Sequence, residues 1–185
     1  GGSTISIFLK PPGVISPGGS STICCSYQGV SGNFVLYKNG HQLRTLKERG
    51  SRAEFSISNA TQNDTGTYNC HYVDGGAVLA RSDILDVRVQ EFQLPRPVLS
   101  VLPGCEVSAG ADVTLCCTIA HSAAGCFLYL EGQAEVLNFL PKAQNCFNLS
   151  RVHKGNEGRY SCQCFTREVS FQWSALSNAL DLVVR

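Results

Sequence analysis

Short runs of alternating hydrophobic and polar residues fill the chain, and turn-forming residues separate them. Five such runs in the first half are STICCSY, GNFVLYKNG, AEFSIS, GTYNCHY and ILDVRV, with Gly, Asn, Ser and Pro between them. Alternation with a period of two places successive side chains on opposite faces of a β-strand. No stretch sustains the helical period. The pattern therefore predicts an all-β protein of the sandwich or barrel type.

The sequence also matches itself when it is shifted by 92 positions. The shift brings Cys24, Cys25, Tyr68 and Cys70 onto Cys116, Cys117, Tyr160 and Cys162. A period this long that occurs twice indicates two tandem domains and not a solenoid. Pro95 and Pro97 lie in the segment between the copies, VQEFQLPRPVLS, and proline is excluded from a paired central strand. We therefore expect domains at residues 1–91 and 92–185.

Each copy carries a tyrosine two residues before its last shared cysteine, in DTGTYNC and NEGRYSC. In immunoglobulin-type sandwiches, a tyrosine at this place forms a corner in which its hydroxyl bonds to the backbone upstream. Tyr68 and Tyr160 are the predicted corner residues. The predicted fold class is thus all-β, with two tandem Ig-like (C2-type) β-sandwich domains. Asp64 is a candidate for a buried ion pair with an arginine. The equivalent residue in the second domain is Asn156, which carries no charge and so excludes such a pair there.

Strand parity decides which cysteine of each adjacent pair faces the core. Ile23 shares its face with Cys25, and Leu115 shares its face with Cys117. Cys24 and Cys116 are expected to point the other way. The predicted cross-sheet bonds are Cys25–Cys70 and Cys117–Cys162. On the chain-entropy model, a disulfide that closes a loop of this size contributes about 4 kcal/mol.

The same parity suggests two further bridges in the second domain. In an Ig sandwich, the second and fifth strands are neighbours in one sheet, and the third and sixth are neighbours in the other. The predicted pairs are Cys116–Cys146 on an outer face and Cys126–Cys164 on an inner face. Cys24 and Cys105 remain. One or both of them stay unbonded or bond to another chain, or Cys105 bonds to Cys116 in place of Cys146.

Ten cysteines occur beside three Asn-x-Ser/Thr sequons, at Asn59, Asn63 and Asn148. Together they indicate an oxidising, secretory history with glycans on these three residues. The formal net charge is +1 and the charged residues are well mixed. Because no basic run exists, the sequence argues against a nucleic-acid partner.

The residues that usually carry catalysis do not form a recognisable motif. The histidines are His41, His71, His121 and His153. They form no His-Glu-x-x-His pattern, and the cysteines lack the spacing of zinc sites. No glycine-rich phosphate loop is present. We therefore expect no metal, no cofactor and no small-molecule substrate, and we interpret the chain as a binding or adhesion module and not as an enzyme.

Three segments together resemble the Ig-like receptors of the leukocyte receptor cluster. They are FVLYKNG at 34–40, echoed by CFLYLEG, then AEFSISNATQNDTGTYNCHY at 53–72, and WSALSNALDLVV at 173–184. The last is similar to the family's Trp-Ser-x-x-Ser ending. The family includes killer-cell, leukocyte and chicken Ig-like receptors, the IgA Fc receptor and the platelet collagen receptor. In the first domain, ARSDILDVRV lacks the tryptophan, and the double cysteines are unusual for the group.

The resemblance implies the ectodomain of a leukocyte receptor at the cell membrane that regulates immune-cell activation. Signalling would use an intracellular inhibitory motif or an associated adaptor. The implied ligand is an extracellular protein: an MHC class I-like molecule, an immunoglobulin Fc or collagen. The alternatives are a secreted plasma or decoy protein and a cell-adhesion molecule. A transmembrane run after Arg185 would favour the receptor, and a stop codon soon after it would favour the secreted form.

Glycans on one sheet would leave the opposite sheet and the interdomain linker for a ligand. Within that surface the predicted ligand-binding residues are Tyr37, His71, Phe92 and Arg96. The other residues with outward parity are Val35, Val73, Phe127, Tyr129, Gln163 and Phe165. Tyrosine and phenylalanine bury large areas at low entropic cost, which suits them as anchors. In the alternative interpretation, Phe92 and Leu94 pack the domains together, and a strand or loop covers Tyr37 and Tyr129.

Overall fold

The computed structural model describes residues 4–121, 125–133, 138–139, 145–167 and 170–185. Strands dominate these residues, which confirms the all-β prediction, and two single-turn 3-10 helices span Gln62–Asp64 and Lys154–Asn156. No helix in the described part of the chain is long and apolar enough to cross a bilayer. The chain divides into unit 1, Gly1–Gln90 with Gly132–Ala134, and unit 2, Glu91–Glu131 with Glu135–Arg185.

Unit 1 is a sandwich of two sheets. Its strands are β1 (Thr4–Lys10), β2 (Ser21–Ser26), β3 (Asn33–Lys38), β4 (His41–Leu46), β5 (Glu48–Arg49), β6 (Arg52–Ile57), β7 (Gly66–Asp74), β8 (Ala77–Ser82) and β9 (Leu85–Val87). One layer runs β1-β2-β6-β5, and the other runs β4-β3-β7, with β8 and β9 both on β7. Strand β1 joins the layers, because its first two residues pair in parallel with β8 and the rest pair with β2.

Unit 2 repeats this plan. Its described strands are β10 (Phe92–Leu94), β11 (Val98–Leu102), β12 (Glu106–Val107), β13 (Val113–Thr118), β14 (Gly125–Leu130), β15 (Asn138–Phe139), β16 (Cys146–Leu149), β17 (Gly158–Thr166), β18 (Gln172–Ser174) and β19 (Leu180–Val184). One layer is β11-β13-β16. The other is β10-β18-β17-β14-β15, with β19 pairing β17 and β12.

The core of unit 1 lies between its layers and follows the predicted parity. On β7, Tyr68, Cys70 and Tyr72 are buried on alternate positions. Cys70 is bonded to Cys25 across the sandwich. Cys24 lies on the other face of β2, where it stands opposite Phe8 and Glu54 on the neighbouring strands. It is nevertheless only 4 % exposed, so outward parity did not mean exposure to solvent.

The structure joins the same four cysteine pairs that parity predicts. They are Cys25–Cys70, Cys117–Cys162, Cys116–Cys146 and Cys126–Cys164. The alternative pair of Cys105 with Cys116 does not occur in the structure, because Cys116 is bonded to Cys146. Cys105 is exposed and unbonded. Cys116 and Cys146 are direct register partners on β13 and β16, which explains their proximity.

The two cores differ at one equivalent position. In unit 1, Phe34 and Tyr72 are register partners whose rings meet edge to face, with centroids 5.0 Å apart. The 92-residue shift places the Cys126–Cys164 bridge at this position in unit 2, again between register partners. An aromatic pair therefore fills in one unit the position that a covalent bridge occupies in the other.

Both tyrosine corners form in the structure. The Tyr68 hydroxyl donates to the carbonyl oxygen of Asp64 at 2.7 Å, and that of Tyr160 donates to Asn156 at 2.6 Å. Burial, and then the nearby Asp64 charge, raise the pKa of Tyr68 to about 12, so it stays a donor. The Asp64 carboxylate accepts from the Thr61 backbone N–H and caps the 3-10 turn. That role replaces the expected ion pair with arginine.

The last strand of each unit is broken, and serine hydroxyls bridge the break. In unit 1 the Cys70 N–H donates to Ser82 Oγ at 2.8 Å. In unit 2 the N–H groups of Cys162 and Cys164 donate to the hydroxyls of Ser177 and Ser174, both at 2.9 Å. These are the two serines of the WSALS segment. They satisfy buried backbone donors where no strand carbonyl is available.

We expect non-reducing peptide mapping of the secreted protein to recover the four disulfides of the structure. Strand parity allows only Cys25 and Cys117 to reach across the sandwich, so Cys24 and Cys116 should never bond to Cys70 or Cys162. A peptide linking either of these two cysteines to a corner-strand cysteine would contradict the parity argument.

Replacing both Cys126 and Cys164 with alanine should destabilise unit 2 by about 3–4 kcal/mol, because the unfolded chain regains loop entropy. Denaturant unfolding under non-reducing conditions measures this loss. Cys105→Ala is the matched control, since that cysteine is exposed and unbonded in the structure. Its effect should stay within about 0.5 kcal/mol. Equal stability of the double variant and the wild type would show that the bridge adds nothing to the packed core.

Candidate ligand-binding surfaces

The outer face of β3 and β7 in unit 1 carries the first two predicted ligand-binding residues. Tyr37 and His71 are both half-buried there, and their rings lie with centroids 4.3 Å apart. Their strands are paired in register, so the backbone fixes this proximity. The structure therefore brings Tyr37 and His71 together.

The surroundings of His71 disfavour the charged form of its ring. Burial lowers the pKa of His71 below its usual 6.5, and the positive charge of Arg81, its register partner on β8, lowers it further. Its Nδ1 is buried and has no hydrogen-bond partner among the described residues. A buried polar atom without a partner lowers the stability of the folded state, so this nitrogen is a cost of the local packing.

Exposed apolar side chains are found on the strands beside this pair. Val78 and Leu79 are exposed on β8, and Leu43 is exposed on β4. Val35 was expected on the exposed face but is 7 % exposed, between Thr45 and His71 in the sheet. An aromatic centre with exposed apolar neighbours is the composition expected of a protein-binding surface.

The equivalent face of unit 2 is covered, which corrects the expectation for its outward residues. Gln163 is fully buried, its amide donates to the Ser174 carbonyl at 3.0 Å, and its Oε1 lies 3.5 Å from the Tyr129 hydroxyl. Phe165 is 4 % exposed and packs against Trp173, with ring centroids 5.5 Å apart. Strand β18 extends the same sheet beside β17, and Trp173 on β18 is the register partner of Phe165. Parity therefore identified the face of the sheet but not the side chains that cover it.

Phe127 belongs to the same aromatic cluster. It is half-buried and stacks on Phe165 with centroids 5.0 Å apart. Burial also raises the pKa of Tyr129, in keeping with its place under the cluster. Of the outward residues proposed from parity, those in unit 2 are thus mostly enclosed, whereas Val73 in unit 1 remains half-exposed.

The other two predicted ligand-binding residues belong to unit 2. Phe92 begins β10, is half-buried and stands opposite Trp173 in a parallel pairing. Leu94 is buried in the same strand, and Arg96 is exposed just after it. The segment that was interpreted as a linker thus starts as an edge strand of the unit 2 sheet. Tyr37 and His71 form one group, and Phe92 and Arg96 belong to another.

The three sequon asparagines are exposed. Asn148 and Asn59 lie on or directly beside the other sheet of their units, whereas Asn63 lies in the 3-10 turn between β6 and β7, where its carbonyl oxygen accepts from Lys38 of β3. Asn59 and Asn63 follow β6, and Asn148 lies within β16. The Asn148 side-chain oxygen accepts from the Thr114 hydroxyl at 2.8 Å, which leaves its amide nitrogen for a sugar. In unit 1, glycans at these positions would leave the Tyr37–His71 face open.

Comparisons of the sequence with known proteins agree with the Ig-like sandwich described above. The immunoglobulin domain family model matches residues 11–78. The chain is 32 % identical to the human osteoclast-associated immunoglobulin-like receptor over 177 residues, which cover 92 % of the chain and 62 % of that receptor. It is also 32 % identical to human immunoglobulin superfamily member 1 over 166 residues, 88 % of the chain and 12 % of that protein.

Among solved structures, the human OSCAR ligand-binding domain is 30 % identical and is matched over 97 % of its length and 95 % of this chain, with a TM-score of 0.45. The chain belongs to the leukocyte Ig-like receptor family. This confirms the resemblance seen in the sequence.

The chain spans 12 % of immunoglobulin superfamily member 1 and 62 % of the osteoclast-associated receptor. The match therefore does not extend to the full length of either protein, and it does not by itself assign their activities or partners to this chain.

One cluster in this receptor chain has the spacing of a metal site. The sulfur atoms of Cys117, Cys126 and Cys164 lie within 4.8 Å of one another, and all three residues are buried. Each sulfur is bonded in a disulfide in the structure. A disulfide sulfur lacks the thiolate charge that zinc binding requires. The cluster is therefore best explained as two neighbouring core disulfides.

Sequence reasoning missed a group of cations in unit 1. Lys47, Arg49 and Arg52 line a concavity at the edge formed by β5 and β6, together with Glu54 and two small residues. The segment contains Arg-Gly-Ser-Arg, a two-residue turn between cations. That turn signal could have placed the two arginines opposite each other.

Expression in a eukaryotic secretory pathway should attach N-glycans at Asn59, Asn63 and Asn148, since all three side chains are exposed. Intact mass before and after enzymatic deglycosylation, with site mapping of the peptides, measures occupancy. Absence of a glycan at all three positions would remove the argument that places the ligand on the opposite sheet.

Stability should fall as the pH drops below about 6.5, in part through His71. The folded chain resists protonation of this ring, whereas the unfolded chain takes up the proton at the usual pKa. The stability that the neutral ring contributes is therefore complete above the unfolded pKa and is lost as the pH falls through the folded one. Thermal unfolding midpoints between about pH 5 and 7.5 measure the slope.

His71→Gln should flatten this slope, and His41→Gln, at an exposed histidine, should leave it unchanged. A titration of the His71 ring followed by NMR gives the folded pKa directly. A midpoint at or above 6.5 would contradict the prediction.

Proposed function

We propose that this chain is the ligand-binding ectodomain of a leukocyte receptor at the cell surface. It consists of two tandem C2-type Ig-like domains, at residues 1–91 and 92–185. The observation that supports the proposal most strongly is the 32 % identity to the human osteoclast-associated immunoglobulin-like receptor over 92 % of the chain.

The proposed activity is binding and not catalysis. The partner is an extracellular protein: an MHC class I-like molecule, an immunoglobulin Fc or collagen. Engagement of that partner regulates immune-cell activation through a membrane segment and a signalling adaptor or inhibitory motif. Similar sandwiches carry different ligands, so the site and not the fold selects among these three classes.

The proposed contact surface is the Tyr37–His71 face of unit 1, and Phe92 and Arg96 of unit 2 are proposed as a separate group of contacts. Three features support it. The face carries the Tyr37 and His71 rings, which are tilted against each other with centroids 4.3 Å apart, and it has exposed apolar side chains on the neighbouring strands. It also lies on the sheet that carries no sequon. Aromatic anchors and arginine dominate the energetics of many protein interfaces.

A binding screen of the glycosylated ectodomain against MHC class I molecules, Fc fragments and triple-helical collagen peptides tests the proposal. We expect saturable binding to one of the three classes. Tyr37→Ala should then weaken that binding by about tenfold or more, since it removes a central aromatic anchor. His71→Ala and Arg96→Ala should weaken it to a smaller extent.

Each variant is first checked for a wild-type unfolding midpoint and disulfide map. Ser6→Arg is the matched control, because Ser6 is exposed on β1 in the sequon-bearing layer of unit 1. It should bind as the wild type does. If all three alanine variants bind normally while Ser6→Arg abolishes binding, the surface is on the wrong sheet. Binding to none of the three classes would contradict the ligand assignment.

A further inference from the structure

The concavity at the β5–β6 edge of unit 1 has features that the proposed receptor function does not use. Its volume is about 550 Å³, and it is lined by Lys47, Arg49, Arg52, Ala53, Glu54 and Ser56. The lining thus contains three cationic side chains and one carboxylate. The site belongs to the β1-β2-β6-β5 layer, whereas the proposed protein-binding face belongs to the other layer.

The arrangement of the two arginines is unfavourable without a bound anion. Arg49 and Arg52 are direct register partners in the antiparallel β5–β6 pair. Residues directly opposite each other have Cα atoms about 4.5–5.5 Å apart, and like charges at such positions destabilise the sheet. No ion pair is found for Lys47, Arg49 or Arg52 within the described residues. An anion between the guanidinium groups would relieve their repulsion.

The backbone holds the three cations in place. Gly50 adopts a positive φ of 66°, which closes the tight turn between Arg49 and Arg52. The Ser51 carbonyl accepts from the Tyr27 N–H at 2.9 Å, so the tip of the hairpin is tied to the chain after β2. Leu46 and Ala53 are buried immediately beside Lys47 and Arg52. The charged groups are therefore presented on fixed backbone, which lowers the entropic cost of binding.

The chemistry of the lining favours one class of anion. Guanidinium groups bind sulfate and carboxylate oxygens through paired hydrogen bonds. Glu54 would repel a ligand that offers only anionic oxygens, but its carboxylate can accept hydrogen bonds from sugar hydroxyls. The Ser56 hydroxyl can donate or accept. A ligand with both acidic groups and hydroxyls satisfies all of these side chains.

We propose that this concavity is a second binding site, which takes an acidic saccharide through its sulfate or carboxylate group. The two arginines hold the anionic oxygens, Lys47 adds charge at the rim, and Glu54 and Ser56 contact the hydroxyls. The site is independent of the protein ligand of the receptor.

The full chain is titrated with a heparin-derived hexasaccharide, with 3′-sialyllactose and with a short poly-glutamate peptide, at low and physiological salt. We expect saturable binding of one or both saccharides, weakening as salt rises because exposed charges are screened. If the site recognises sulfate, the hexasaccharide should bind more tightly than 3′-sialyllactose. If the site recognises carboxylate, 3′-sialyllactose should bind more tightly than the hexasaccharide. Poly-glutamate binding as tightly as the better saccharide would overturn the saccharide proposal.

The variant Lys47→Gln/Arg49→Gln/Arg52→Gln should lose at least about tenfold in saccharide affinity, because it removes the charge-assisted bonds. The matched control Arg88→Gln/Lys154→Gln/Arg159→Gln removes the same number of charges elsewhere and should stay within about twofold. The affinities of the two variants are compared only after each is shown to have the disulfide pairing and the unfolding midpoint of the wild type. Equal losses in the two variants, or no saturable binding of either saccharide by the wild type, would overturn the proposal.

Discussion

The alternation of side chains along paired strands, locked by one disulfide across each sandwich, is the constraint on which the rest of the structure depends. A slip of one residue would turn every inward side chain of a strand to the other face. The Cys25–Cys70 and Cys117–Cys162 bonds fix this choice for the strands on which they lie. Once the parity of β2 and β7 is fixed, the Tyr37–His71 pair must lie outside the core, and Tyr72 must lie inside it.

The two units show how differently one framework can be filled. The position of the Phe34–Tyr72 ring contact is taken by a covalent bridge in unit 2, and the open aromatic face of unit 1 is matched by an enclosed one. Enclosure follows from β18, which pairs Trp173 with Phe165 of β17 and is joined in turn by β10. The sheet face that is partly exposed in unit 1 is therefore enclosed by aromatic side chains in unit 2.

Parity and spacing predicted the parts of the fold that depend on a period of two, namely the cysteine pairs in the structure and the corner tyrosines. They missed β4, because HQLRTL is a polar edge strand with little hydrophobic signal. They could not show that Gln163 is enclosed or that Cys24 is covered, since what lies above a face depends on contacts remote in sequence. The basic concavity was missed for a similar reason, because its cations meet only when the turn at Gly50 closes.

The adjacent cysteines have a consequence for how the protein is made. While the disulfides form, Cys24 and Cys25 compete for the same partner, Cys70, and only the Cys25–Cys70 bond lets Ile23 enter the core. The wrong product would covalently trap a shifted strand, which only thiol–disulfide isomerisation could release. In unit 2 the additional cysteine, Cys116, is bonded to Cys146, which lies directly opposite it on the neighbouring strand. In unit 1 the extra thiol is instead covered once the sheet has formed, so the yield of correctly folded protein depends on strand pairing preceding oxidation or on an isomerase correcting it.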